Sequence, residues 1–149
     1  MIVKITLVLM SMMLATHASA QAVRKPLFVC SNPKGQSYYN TDSQKGWVTD
    51  GFTAMVAIYA DDIVILREEQ EPFSTKDDGA EIIALNNLNK RTGGAMIAAW
   101  PGGAVMETYR IVPDGDQFEF YMTQSKHSPM GNGIDKVSAY SGPCVAYDE

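Results

Sequence analysis

Apolar and polar residues alternate along much of the chain, in short segments separated by turn-forming residues. The clearest segment is residues 117–124, where every second side chain is apolar in the order Phe, Phe, Met. This period is typical of a strand with one buried face. Residues 105–112 precede it across a Pro-Asp-Gly-Asp turn, so the two segments predict a β-hairpin. We expect Pro113 at the first central position of the turn and Gly115 in the left-handed conformation.

Other segments of strand length are bounded by clusters of Gly, Pro, Asn and Asp. The predicted strands are residues 27–31, 52–60, 63–68, 95–100, 137–140 and 144–147, with a break at residues 141–143. Residues 32–50 are polar and rich in turn formers, and they predict a long surface loop, with or without a short helical turn. This spacing favours an all-β fold, a small antiparallel β-barrel or sandwich formed as one domain by residues 21–149.

Residues 81–90 leave two interpretations open. A helix could begin at the capping-box sequence of residues 78–81 and continue through Ile82, Leu85 and Leu88. Three asparagines in the same stretch are poor helix formers, which favours a strand over residues 81–86.

The first 20 residues have the three parts of a signal peptide. Lys4 supplies a positive start, residues 5–15 are apolar, and Ala18 and Ala20 are the small residues before the expected cleavage site. The apolar run is shorter than the roughly 20 residues needed to span a bilayer. We therefore predict export to the periplasm or secretion, with no stable membrane insertion after cleavage.

The chain has two cysteines, Cys30 and Cys144, close to the two ends of residues 21–149. An even pair in an exported chain predicts a disulfide. Free thiols or a metal pair are the alternatives, but a metal site wants about four ligands and His127 is the only histidine after residue 20. In a closed barrel the disulfide would fasten the first strand to the last.

Charge and motifs argue against several classes of function. Residues 21–149 contain 11 Lys and Arg against 17 Asp and Glu, a formal charge of −6, which disfavours nucleic-acid binding. The chain has no phosphate-binding loop, calcium loop or histidine pair at ligand spacing. We therefore predict no cofactor and no metal.

Catalysis has weak support in the sequence. The chain contains no Gly-x-Ser-x-Gly motif, and His127 lies in a segment of loop composition. We assign no catalytic residue and favour a binding protein over an enzyme. A small hydrolase that uses His127, or the carboxylate pair Glu107 and Glu119, is the rival hypothesis.

Two places are candidates for ligand binding. Glu107 alternates onto the same face as Tyr109, and if that face points inward its carboxylate would line a cavity. The alternatives are that the face points outward, or that Glu107 pairs with Arg110 or a neighbouring Lys. Tyr38, Tyr39 and Trp47 fall in the polar segment, where exposed aromatic residues are typical of contact surfaces. A small local core beneath the loop is the alternative for these three.

Three short sequences carry a resemblance to known proteins: Leu88-Asn89-Lys90-Arg91-Thr92-Gly93, Glu107-Thr108-Tyr109-Arg110 before Asp114-Gly115, and Ser141-Gly142-Pro143-Cys144. In these the chain resembles small exported proteins of proteobacteria that look like lipocalin-type barrels, a group without an agreed function. Our hypothesis for the function is non-catalytic binding, either of a small apolar ligand in a barrel mouth or of another envelope protein.

More remotely, the chain resembles the periplasmic inhibitors of c-type lysozyme, which are also small, exported and disulfide-closed. It lacks their Ser-Gly-x-x-Tyr loop, because Ser141-Gly142 is followed by Pro143-Cys144-Val145. The alternative function, which this second resemblance implies, is inhibition of a basic secreted enzyme such as lysozyme.

Overall fold

A computed structural model of the chain describes residues 24–41, 43–51, 54–127 and 135–147. Within them the protein is all-β, as predicted. The strands are β1 (Phe28–Ser31), β2 (Lys34–Asn40), β3 (Lys45–Gly51), β4 (Ala54–Ile58), β5 (Ile63–Arg67), β6 (Phe73–Ser74), β7 (Glu81–Ala84), β8 (Gly94–Ala99), β9 (Val105–Asp114), β10 (Gln117–Lys126) and β11 (Asp135–Ala146). The described residues form no helix long and apolar enough to cross a membrane. The predicted signal peptide, residues 1–20, lies outside them.

The strands form one antiparallel sheet that curls into a half-barrel. Its order is β6-β5-β4-β1-β11-β10-β9-β8-β7, and the hairpin of β2 and β3 branches from β11. β11 accommodates this branch because it is 12 residues long. The first part of β11 pairs with β2 and its last part pairs with β1. The first and last strands are therefore neighbours, as the cysteine positions predict.

The open side of the half-barrel is crossed by the chain itself. β6 and β7 lie at opposite ends of the strand order but follow each other in sequence, so residues 75–80 must connect the two ends. Thr75 N–H donates to the carbonyl of Ile63 at 2.9 Å, which fastens the start of this segment. The indole N–H of Trp100 donates to the Asp78 carboxylate at 2.9 Å, next to the end of β8. The described strands show no pairing of β6 with β7, so this crossing segment takes the place of a closed ladder.

The predicted disulfide is confirmed. Cys30 and Cys144 are opposite each other in the register of β1 and β11, with their Cα atoms 4.0 Å apart. Both side chains are buried. The bond lies inside the sheet, between strands that also pair with β4 and β10. The disulfide therefore joins two neighbouring strands in the middle of the half-barrel. The described strands do not close into a barrel, so the disulfide does not lie at the seam of one.

Two predictions of local structure are wrong. Residues 32–50 form no long loop; most of them form the hairpin β2–β3, whose polar side chains are accommodated on the inner face. The expected break at residues 141–143 is a continuous part of β11. At Pro143 the partner along one edge of β11 changes from β2 to β1. Neither strand pairs with Pro143 on that edge, so the missing N–H of the proline is tolerated there.

The remaining local predictions are largely confirmed. Residues 81–84 are strand β7 rather than a helix, and the hairpins β4–β5 and β9–β10 form as expected. The turn between β9 and β10 differs from the prediction for Pro113: β9 extends to Asp114, so Pro113 is part of the strand and the loop consists of Gly115 and Asp116. Gly115 has a φ of 61°, the left-handed conformation that the turn predicts.

One end of the half-barrel is filled with apolar side chains. Phe28 packs edge-on against Phe118 with ring centroids 4.9 Å apart, and Ile58, Ile63 and Phe120 are fully buried around them. This end contains the disulfide, and large aromatic and branched side chains leave little space there. The opposite end, at which β9 begins, β10 ends and β11 begins, carries polar side chains on its inner face.

Asp62 fastens the start of the crossing segment and offers a test of its importance. It is 2 % exposed, and it accepts hydrogen bonds from the Ser74 hydroxyl at 2.9 Å and from the Lys76 N–H at 3.2 Å. Asp62→Ala leaves these donors unpaired, so we expect the free energy of unfolding to fall by about 1–3 kcal/mol. Urea denaturation measures the change.

Asp61 supplies the matched control. It is the preceding residue, and its side chain is 57 % exposed and paired with Arg24 and Lys76. Exposed ion pairs contribute little, so Asp61→Ala should change the free energy of unfolding by less than about 1 kcal/mol. Equal losses in the two variants would contradict a special role for Asp62.

Candidate functional site

The polar end of the half-barrel contains a cavity of about 480 Å³. Strands β3, β5, β9, β10 and β11 contribute to its lining, together with β6 and the crossing segment. Its apolar lining includes Ile65, Phe73, Trp100 and Met122. The volume lies within the usual range of small-ligand sites.

A row of four polar side chains crosses the inner face of the sheet at this end, and two of them, Gln124 and Glu107, line the cavity. Ser37 on β2, Ser138 on β11, Gln124 on β10 and Glu107 on β9 are successive partners in the sheet register. Register partners project from the same face of a sheet. We call these residues the polar row. Met122 and Tyr109 lie two residues deeper on β10 and β9, and Lys126 lies two residues nearer the mouth, so the wall changes from apolar to polar to cationic.

Asp50 on β3 is the centre of a cluster of hydrogen bonds at one side of the cavity. One oxygen of its carboxylate accepts from Lys136 Nζ at 2.8 Å, from the Tyr140 hydroxyl at 2.8 Å and from the Ser37 hydroxyl at 2.6 Å. Gly35 on β2 lies between Asp50 and Tyr140 in the register, and its lack of a side chain lets the two groups meet. Asp50, Lys136, Tyr140 and Ser37 are here called the Asp50 cluster.

The Asp50 cluster shifts the protonation of its two charged members in opposite directions. Burial works against the charge of Asp50, but hydrogen bonds from Lys136, Ser37, Tyr140 and the Gly51 N–H outweigh it and hold the pKa of Asp50 well below its ordinary value. Burial also opposes the charge of Lys136, while its contacts with Asp50, Tyr140 and Tyr39 raise the pKa of Lys136 above its ordinary value. The pair is therefore fully ionised at neutral pH.

Glu107 points inward, as its alternation with Tyr109 allowed. Its side chain is only 6 % exposed and lines the cavity. The carboxylate accepts hydrogen bonds from the Tyr109 hydroxyl and from Gln124 Nε2, the latter at 2.5 Å. Burial, together with the adjacent Glu107 carboxylate, raises the pKa of Tyr109 well above its ordinary value, so the phenol remains a donor.

The three aromatic residues proposed for binding are divided between the two faces of the sheet. Tyr39 lies on the inner face, where its ring is 5.1 Å from Lys136 Nζ and its hydroxyl is 3.4 Å from Asp50. Tyr38 and Trp47 are register partners on the outer face and pack edge-on with ring centroids 5.5 Å apart. Trp47 is 63 % exposed. The structure therefore brings Tyr39 near Glu107's cavity and leaves Tyr38 and Trp47 outside it.

The proposed carboxylate pair does not form. Glu119 alternates with the buried Phe120 on β10 and lies on the outer face, whereas Glu107 lies on the inner face. His127 has a 67 % exposed side chain, and its Nδ1 is 2.7 Å from Asp135. Within the described residues no group of three His, Cys, Asp or Glu side chains could hold a metal ion.

Sequence reasoning missed most of the polar side chains of the cavity. Along β11, the polar residues Lys136, Ser138 and Tyr140 face inward, while Val137 and Ala139 face outward and are exposed. This is the reverse of the usual arrangement for a strand with one buried face. The alternation was present in the sequence, but it does not say which face is inside.

Comparison with protein-family models, with curated proteins and with solved structures found no match to this chain. The resemblance to lipocalin-type barrels and to lysozyme inhibitors therefore remains a prediction. The cavity and its side chains are therefore the basis on which a function can be proposed.

Proposed function

We propose that the protein is a non-catalytic binding protein that takes a small ligand into the cavity of the half-barrel. The observation that carries this proposal is the 480 Å³ cavity at the polar end of the half-barrel. Apolar walls combined with a few fixed polar groups are typical of ligand sites. Of the two kinds of partner that the sequence suggested, a small ligand and an envelope protein, the cavity supports the small ligand.

We infer that the protein does this outside the cytoplasm, in the periplasm or after secretion. The disulfide between Cys30 and Cys144 supports an oxidising compartment. The signal-peptide pattern of residues 1–20 supports export. Fractionation of a cell that expresses the full chain tests this location, and recovery of a reduced protein from the cytoplasm alone would contradict it.

Titration with the neutral dye N-phenyl-1-naphthylamine tests the binding function. We expect saturable fluorescence enhancement at one dye per chain, because the apolar lining shields the dye from water. Val105→Trp should abolish the enhancement, since Val105 lines the cavity at the start of β9 and the larger side chain fills it.

Val137→Trp is the matched control, because Val137 is 48 % exposed on the outer face. It should bind the dye like the unmodified protein. Thermal unfolding of both variants verifies that they are folded. Equal dye binding by the two variants, or no binding by the unmodified protein, would contradict a ligand site in the cavity.

A further inference from the structure

Glu107 is a buried carboxylate whose partners are all neutral. Its two hydrogen-bond donors, the Tyr109 hydroxyl and the Gln124 amide, carry no charge. None of the ion pairs between described residues includes Glu107. A buried carboxylate is normally paired with a cation, because removing it from water is costly.

None of the other charged groups that line the described cavity forms an ion pair with Glu107. Lys136 is paired with Asp50, and Asp78 accepts the indole N–H of Trp100. Arg67 and Lys126 are exposed to water, so hydration compensates their charges. Glu107 is therefore a buried carboxylate of the cavity that has no oppositely charged partner among the described residues.

Aromatic rings lie in the same cavity as this carboxylate. Trp100, Phe73 and Tyr109 all contribute to the lining. Aromatic faces attract cations, and they also pack against hydrocarbon groups. A carboxylate combined with aromatic walls is suited to a ligand that has a protonated amine and an apolar body.

We propose that the ligand of this cavity is an organic amine whose ammonium group binds Glu107. This inference depends on the small-ligand function proposed above and specifies its chemistry. The ammonium donates to the Glu107 carboxylate, which Tyr109 and Gln124 hold in position. The apolar part of the ligand packs on Met122 and Trp100. A ligand with a carboxylate at the same place would be repelled by Glu107 and should bind less tightly.

Three probes with the same hydrocarbon tail test the proposal: octylammonium, octan-1-ol and octanoate. Trp100 is a natural reporter of cavity binding, and Trp47→Phe removes the second tryptophan, which lies on the outer face. In that background we expect octylammonium to bind about 10- to 100-fold more tightly than octan-1-ol, because the charged hydrogen bond adds to the same apolar contact. Octanoate should bind least tightly.

Glu107→Gln should remove the preference for the amine, and Glu119→Gln, on the outer face, should keep it. Equal affinity for the three probes, or tighter binding of octanoate, would overturn the role of Glu107 and leave the cavity function intact. If none of the probes changed the Trp100 fluorescence, the small-ligand function itself would be contradicted. If Glu107→Gln fails to fold, the order of the three affinities in the Trp47→Phe background still tests whether the ligand is an amine.

Discussion

Replacing Cys30 and Cys144 together by alanine is expected to lower the free energy of unfolding by about 4–5 kcal/mol, an upper value from the loss of chain crosslinking. The disulfide joins residues separated by 114 positions, so its absence lets the unfolded chain expand across nearly the whole domain. The folded state loses little, because β1 and β11 still pair in the same register. Urea denaturation of the double variant measures the change.

The unmodified protein in the presence of a reductant serves as the comparison for the alanine variant. Reduction and substitution should lower the unfolding midpoint by similar amounts, because both remove the same crosslink. Alanine is preferred to serine, since both positions are buried and a serine hydroxyl would need a partner there. An oxidised protein with the midpoint of the alanine variant would show that the crosslink does not stabilise this fold.

Asp50→Asn is expected to lower the free energy of unfolding by about 2–4 kcal/mol at neutral pH. The substitution leaves the Lys136 ammonium with no carboxylate partner, although its side chain is only 17 % exposed. Removal of one member of a partly buried pair is costly because the other charge remains. The double variant Asp50→Asn with Lys136→Met removes both charges and should recover most of the loss.

The pH dependence gives an independent readout of the same pair. Because the pKa of Asp50 is lowered in the folded protein, its contribution is present above the ordinary aspartate pKa, about 3.9, and is lost as the pH falls below it. Because the pKa of Lys136 is raised, its contribution is lost only as the pH rises above about 10.4. Asp50→Asn should therefore flatten the acid side of the stability profile. An unchanged acid side would contradict the assigned role of Asp50.

The fold was largely predictable from the sequence where apolar residues point inward. β10 shows why: its apolar side chains alternate with polar ones and pack into the apolar end of the half-barrel. The cysteines added a long-range contact that alternation alone does not contain, and this placed the first strand beside the last. The strand assignment of residues 81–84 followed from the poor helix propensity of the asparagines after them.

The cavity was less predictable, because its wall reverses the usual arrangement. β2 and the first part of β11 place Ser37, Ser138 and Lys136 inside, and they leave the half-buried Tyr38 and the exposed Val137 on the outer face. Polar composition then resembles that of a loop, which is why residues 32–50 were misinterpreted. Glu107 was found from its sequence neighbours alone, whereas Asp50 meets Lys136 only through the three-strand register of β3, β2 and β11.

The placement of β11 has a consequence for biogenesis. β11 follows all the other described strands in the chain, yet it lies in the middle of the sheet and supplies the partner for β1, β2 and β10. The pairing of β1, β2 and β10 with β11 must therefore wait until the residues of β11 are available, and such late, non-local contacts slow folding. If the chain is exported, as proposed above, it would stay unfolded and compatible with threading through a translocation channel until β11 has been delivered, and its collapse into the native state would then follow.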